Sequence, residues 1–434
     1  MTLYRVEPGD TVYSIAEKNG TTPSRIIIDN DLTNPGRLVV GQSLVLLYPT
    51  RTYTVRGGDT LESIAKTYGI SILELWQNNP ALKGRSYIYP GQTLNISYET
   101  PPLGRIRVNG YAYPYIDRSV LRTTLPYLTY LSIFTYGFRP DGTLIPPTGG
   151  DEELIGIAKE YGTVPLMMLT SLTEEGTFSN ELVSNLLADP ALQSTVIENA
   201  LSVIRQKGYG GLDVDFEYIP AQFAETYAEF LTMLRQRLSA EGYVLFASLA
   251  PKTSATQRGL LYEGHDYPSV GAAADYVLLM TYEWGYTYGP PLAIAPIENV
   301  RGVIDYAITE IPPSKIVLGT PNYAYNWTLP YVRGESQAQA LSNVAAVGLA
   351  AEKNAEIQFD ETAQTPFFKY FEYSAQAKKT VEHEVWFEDA RSVDAKLRLL
   401  SEYELAGASI WQIMKYFPQL WLVLNALFSI EKLN

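Results

Sequence analysis

Asp213, Asp215 and Glu217 alternate with Leu212, Val214 and Phe216 in the run Gly210-Gly-Leu-Asp-Val-Asp-Phe-Glu217. A strand sends successive side chains to opposite faces, so the three carboxylates share one face and the apolar residues the other, with neighbouring acids roughly 7 Å apart along the chain. Placing several carboxylates on an otherwise apolar strand is costly unless they are hydrogen-bonded or share protons. Two nearby carboxylates resist joint ionisation, so one holds its proton toward neutral pH and can act as a general acid. Glu217 ends the row where the strand opens into Tyr218-Ile-Pro220, which lets its carboxyl reach a bound molecule while Asp215 lies behind it. A solvated acidic strand end and a calcium-binding row are the competing readings. The alternating apolar residues disfavour the first and the absence of EF-hand spacing the second.

The elements that must position this row follow in regular order. Short apolar strands are predicted at Arg107–Tyr111, Tyr130–Tyr136, Val164–Thr170, Gly211–Glu217, Val244–Ala250, Tyr276–Tyr282, Ile316–Pro321 and Ala408–Trp411. Amphipathic helices lie between them, one with Phe223, Tyr227, Phe230, Leu231, Leu234 and Leu238 along a single side. Eight βα units predict an α/β fold, a TIM (β/α)8 barrel over 104–430, with its chemistry at the C-terminal strand ends. An open doubly wound sheet is the alternative, but the glycine-rich phosphate loop that would support it is missing. Between the last two strands, about 325–390, the β-rich segments Ile357–Tyr370 and Glu382–Glu388 predict a small hairpin-like insertion walling the cleft, with Lys378-Lys379 in its connection.

Ahead of the barrel, Tyr4-Arg-Val-Glu-Pro-Gly-Asp-Thr11 recurs as Tyr53-Thr-Val-Arg-Gly-Gly-Asp-Thr60, and Asn30 and Gly41-Gln42 recur as Asn79 and Gly91-Gln92. This predicts two small βααβ modules, 2–48 and 51–97, whose Asp and Thr residues cap the first helices. Pro101-Pro102 closes the repeat region.

Composition narrows the function. The chain of 434 residues has no cysteine and two histidines, His265 and His383, so no metal centre or other cofactor is expected. Net charge is −14, with +1 over residues 1–96 and −15 beyond them, and so acidic a body argues against a nucleic-acid partner. No apolar run approaches the roughly 20 residues needed to span a bilayer, and the N-terminus does not resemble a secretion signal, so no membrane association is expected.

Each N-terminal repeat resembles a LysM domain. That resemblance implies binding of N-acetylglucosamine-containing glycans in a groove that would include Gly9, Asp10, Thr11, Pro35 and Gly36 in the first copy, and Gly58, Asp59, Thr60, Asn79 and Pro80 in the second. The alternative is that these are simply capping and turn residues. The acidic strand resembles the Asp-Gly-x-Asp-x-Asp-x-Glu signature of glycoside hydrolase family 18, with Gly210 standing where the family has its first Asp. Met280-Thr-Tyr-Glu283 is similar to the family's Met-x-Tyr-Asp run, with Glu283 for Asp. Gly319-Thr-Pro-Asn322-Tyr323 and Trp411 are similar to the runs ending strands seven and eight. The resemblance implies a retaining, substrate-assisted mechanism in which Glu217 is acid and base. Asp215 would orient the 2-acetamido group under the influence of Asp213, and Tyr282 would hold its carbonyl. Met280, Glu283, Asn322, Tyr323 and Trp411 would contact sugar. The whole arrangement resembles the spore cortex N-acetylglucosaminidases of endospore-forming bacteria. This implies cleavage of cortex peptidoglycan during germination by a protein made without a signal peptide and held at the coat/cortex boundary. A chitinase and a non-catalytic glycan-binding coat protein are the rival expectations.

Overall fold

The computed structural model describes residues 1–98, 101–374 and 378–433. Eight parallel strands close on themselves in the order Gly104–Ala112, Tyr130–Phe138, Val164–Thr170, Gly211–Asp215, Val244–Leu249, Tyr276–Leu279, Ile316–Pro321 and Gly407–Trp411, the last pairing back to the first through Ala408 and Val108. This is the predicted TIM barrel. Helices cover its outside because the strands' outward faces are aliphatic. Leu212, Val214 and Phe216 are fully buried against Tyr227, Phe230, Leu231 and Leu234 of the helix Ala224–Ser239. The fourth strand ends at Asp215 and the sixth at Leu279, so Glu217 and the run Met280–Glu283 sit in loops just past the strand ends, not on the strands as the alternation suggests.

The barrel interior carries a polar layer. Asn109 Nδ2 donates to the hydroxyls of Ser132 (3.0 Å) and Ser409 (3.1 Å), and Ser132 Oγ donates to Asp213 (2.7 Å). Buried polar atoms persist where they find such partners.

Between strands seven and eight the chain builds more than a hairpin. Ala324–Thr328, Gln339–Leu341, Gln358–Asp360, Thr365–Ser374 and Lys379–Trp386 form a five-stranded antiparallel sheet, backed by the helix Asn343–Lys353. The strands beyond the expected pair are short and mixed in polarity, so they lack a clear period of two. Lys379 opens a strand, while residues 375–377 of the connection lie outside the described residues.

Each repeat has two strands and two helices. Reciprocal side-chain caps at Thr11/Ser14 and Thr60/Ser63 open the first helix of each copy. Both modules are fastened to the barrel, but by different surfaces. In the first, Gly41 (φ +84) presses on the insertion so closely that a Cβ would meet the Ile357 carbonyl at 1.8 Å, and Ile357 N donates to Val40 O at 2.9 Å. Val39 is buried in the insertion's apolar core. In the second, Gln77 Nε2 donates to Pro126 O (2.8 Å), Tyr161 Oη to Gly84 O (2.5 Å), and the Trp76 and Tyr161 rings lie 5.1 Å apart. Among the described residues no helix is long and apolar enough to cross a membrane.

Candidate active site

The acidic row enters the barrel from its fourth strand. Asp213 is wholly buried, flanked in register by Met168 and Phe246, and accepts the Ser132 hydrogen bond on Oδ2. Burial lifts its pKa to about 6, while the Ser132 hydroxyl and the facing Tyr111 hydroxyl pull it back. The Tyr111 contact falls short of full hydrogen-bond geometry: Asp213 Oδ1 and the Tyr111 hydroxyl each have no hydrogen-bond partner among the described residues. Asp215, one residue pair higher, is pushed well above the carboxylate range by burial, then by the charges of Glu217 and Asp213. Its Oδ1 and the buried Ser248 hydroxyl also have no hydrogen-bond partner among the described residues. Glu217 is half-buried, and its pKa is raised by burial and by Glu283. The row therefore holds protons that exposed carboxylates would have released.

A histidine fixes the turn that presents Glu217. His265 is fully buried. Its Nδ1 accepts from Ala250 N (2.8 Å), which leaves Nε2–H to donate to the Phe216 carbonyl (2.9 Å), between Asp215 and Glu217. Burial lowers its pKa to about 4, so it stays neutral. Tyr218 follows Glu217 at φ +54, in the left-handed region that non-glycine residues rarely enter. Sequence reasoning missed His265, which carries no local signal. It also missed Ser132, Ser248 and Ser409, although Ser248 and Ser409 are each the one hydroxyl in an otherwise apolar strand, a pattern that marks an inward polar position.

Tyr282 faces the row from beyond the sixth strand. Burial and the charges of Asp215 and Glu217 raise its pKa well above that of a free phenol, so it remains a hydrogen-bond donor. Its ring fits because position 319 is glycine: a Cβ there would lie 2.8 Å from Tyr282 Cε1 and 2.4 Å from Leu279 O. Glu283 (φ +67) accepts from the hydroxyls of Tyr323 and Tyr325, the latter at 3.1 Å. Met280 and Trp411 join Tyr111, Phe134, Met168 and Leu278 in an apolar cluster. Within it the Trp411 ring stands edge-on to Tyr111 (5.3 Å) and Phe134 (5.4 Å). Glu217, Met280, Tyr282 and Glu283 line a cleft of about 370 Å³, completed by Tyr218, Tyr262, Trp284 and Tyr286. These last four aromatic residues were not anticipated from sequence. Among the described residues no group of His, Asp and Glu is arranged to hold a metal ion.

Other expected contacts are placed differently. Asn322 is buried and spends its amide on the carbonyls of Gln412 (2.9 Å) and Lys415 (3.1 Å) and on Asn343. It fixes the loop that follows Trp411 instead of offering its side chain to sugar. Asn79 is likewise buried, donating to Leu75 O (2.9 Å) and Asn95 O (2.8 Å) and accepting from Asn95 N (2.8 Å). With the buried Pro80 it backs a cavity of about 660 Å³ between the two repeats. Asp10 and Asp59 are held by Tyr4 and Tyr53 hydroxyls and by backbone N–H groups, the roles of turn residues. Gly9, Thr11, Gly36, Gly58 and Thr60 are exposed, and Pro35 is partly so. Gly210 lies at the opposite end of the strand from Glu217, where a Cβ would strike Val164 Cγ1 at 2.2 Å. The departure from the family signature is thus accommodated away from the chemistry.

This geometry agrees with the comparisons. The profile of glycosyl hydrolases family 18 matches residues 169–415, and that of the LysM domain matches 4–46 and 53–97. The chain belongs to glycosyl hydrolases family 18. It is a glycoside hydrolase with LysM modules at its N-terminus. It is 40% identical over 440 residues to the cortical fragment-lytic enzyme of Bacillus subtilis (strain 168), covering 100% of this chain and 99% of that protein. It is also 34% identical over 434 residues, across the full length of both, to the putative sporulation-specific glycosylase YdhD of the same organism. The crystal structure of the Bacillus cereus spore cortex-lytic enzyme SleL superposes with a TM-score of 0.83 at 39% identity, covering 99% of this chain and 98% of that one.

Proposed function

We propose that this family 18 chain hydrolyses N-acetylglucosaminyl linkages in spore cortex peptidoglycan during germination, by a retaining mechanism assisted by the substrate's own 2-acetamido group. The observation that carries the reading is the proton-retaining Glu217, beside the buried Asp215, at a cleft faced by a neutral Tyr282 hydroxyl.

Glu217 donates its proton to the glycosidic oxygen, because a raised pKa keeps the acid form populated where an ordinary glutamate would be ionised. The acetamido carbonyl attacks C1 within the same molecule, which removes the entropic cost of bringing in a nucleophile. With the proton of the pair on Glu217, Asp215 is ionised, accepts a hydrogen bond from the acetamido N–H and balances the developing charge, while the Tyr282 hydroxyl donates to the carbonyl oxygen. Glu217 then accepts a proton from the incoming water, the role reversal common to retaining glycosidases. Asp213 and His265 position this machinery. Trp411 and Met280 offer an apolar floor for the C–H face of a sugar ring.

The likeness over the whole chain to enzymes named for cortex fragments favours peptidoglycan as substrate and the spore as setting. The test is digestion of purified cortex fragments by wild type and Glu217→Gln, with analysis of new chain ends. Wild type should leave N-acetylglucosamine at reducing ends and muramic residues at non-reducing ends, and the variant should bind fragments without turnover. Full turnover by the variant, or new reducing ends of the muramic type, would overturn the reading.

A further inference from the structure

The second repeat meets the barrel across a cleft of about 590 Å³, which is lined from the repeat by Trp76, Arg85 and Tyr87 and from the barrel by Arg118, Arg122 and Glu160. Three arginines face Glu160 and Glu153, which leaves one positive charge uncompensated at this spot on a chain of net charge −14. Arg118 pairs with Glu153 (2.7 Å) and Arg122 with Glu160 (2.7 Å), whereas Arg85 has no ion-pair partner among the described residues and its guanidinium donates to Ser119 Oγ at 3.5 Å. Tyr87 beside it is 77% exposed, a ring face open to a sugar.

A row of aromatic rings runs from the catalytic centre toward this cleft. From Trp411 the ring of Phe134 lies 5.4 Å away, Tyr113 a further 4.8 Å, and Tyr113 stacks on Tyr115 at 5.3 Å. Arg118 Nη1 then grips the carbonyls of Pro114 (2.8 Å) and Ile116 (2.6 Å), on either side of Tyr115. The row of aromatic rings thus ends at the rim of the arginine cleft. An uncharged polysaccharide has no use for guanidinium groups, whereas a glycan bearing peptide stems presents carboxylates that match their forked geometry.

We propose that this cleft between the second repeat and the barrel binds the carboxylates of a substituted glycan whose backbone occupies the active-site cleft, with Arg85 as the available anchor. The proposal rests on reading the chain as a hydrolase of peptide-bearing glycan and adds the residue that distinguishes such a polymer from a neutral one.

The test uses the full chain with Glu217→Gln to silence turnover, and compares it with the same protein carrying Arg85→Gln or Arg85→Lys. Three probes are titrated: soluble cortex fragments with intact stems, the same fragments after an amidase has removed the stems and so uncovered the lactyl carboxylates, and a chito-oligosaccharide of equal length. Arg85→Gln should weaken binding of intact fragments roughly tenfold, the size of one charge-assisted hydrogen bond, with partial rescue by Arg85→Lys. Chito-oligosaccharide binding should not change. A tenfold effect that disappears on amidase-treated fragments assigns the stem carboxylates, and one that persists shows that the lactyl carboxylate uncovered by the amidase is bound in their place. Equal binding of intact fragments by the Arg85→Gln and Arg85 proteins overturns the proposal. Cortex hydrolysis by the chain with Glu217 intact, measured alongside, shows whether the parent reading stands regardless. The Arg85 backbone carbonyl that accepts from Trp76 is untouched by either substitution, so the fold of the repeat is preserved.

Discussion

Replacing Asp213 by Asn should make the protein more stable, and more so as the pH rises. Asp213 is fully buried, and its pKa is about 6 against an ordinary 3.8. Below pH 3.8 the group is protonated whether the chain is folded or not, and it costs nothing. Between the two values the unfolded chain releases the proton while the folded one keeps it, so folded stability falls as pH climbs. A gap of about two pH units at about 1.4 kcal/mol each gives roughly 3 kcal/mol lost by pH 7. Asn cannot ionise, keeps an oxygen to accept from Ser132, and escapes the loss. Urea denaturation of both proteins at pH 4, 5, 6 and 7 should show a difference near zero at the acid end, growing to roughly 3 kcal/mol in favour of the variant at neutrality. The same change removes a like charge beside Asp215, so the acidic limb of the kcat/KM profile should move to lower pH. A difference that stays constant across the range, or a variant less stable than wild type at pH 7, would refute the reasoning.

Other outcomes follow from the same site. Glu217→Gln should lower kcat at least a thousandfold, within the range of lost general acid catalysis, without weakening fragment binding in titration calorimetry. Tyr282→Phe should cut kcat by roughly 10- to 100-fold with KM little changed, because one hydrogen bond to the reacting carbonyl is lost. Gly319→Ala should reduce kcat and lower the melting temperature together, since its methyl displaces the Tyr282 ring. Gly210→Asp, which restores the family residue, should destabilise the chain by about 1–3 kcal/mol through its clash with Val164, and Val164→Ala in the same protein should recover part of that loss in urea denaturation.

The barrel was legible because alternating acids, lone glycines and aliphatic runs report a strand's two faces directly. The catalytic row could be read for the same reason. Strand ends could not, since Phe216 and Glu217 continue the alternation after the ladder of hydrogen bonds has stopped at Asp215. Asn322 and Asn79 occupy positions where an exposed amide would suit a sugar, and only the folded chain shows that carbonyls from remote segments already use them. His265 was hidden because its partners, Phe216 and Ala250, come from two other segments. The insertion was underestimated because short antiparallel strands such as Gln339–Leu341 gain their identity from neighbours and not from pattern.

Because Ile357 clasps the first repeat and Gln77 grips the barrel wall from the second, the front of this molecule is no leash. A swinging module would raise the local supply of glycan in every direction. A fixed one would behave as a gauge: a glycan bound as proposed against the second repeat would reach Glu217 at one spacing, so how the polymer is held would decide where it is cut.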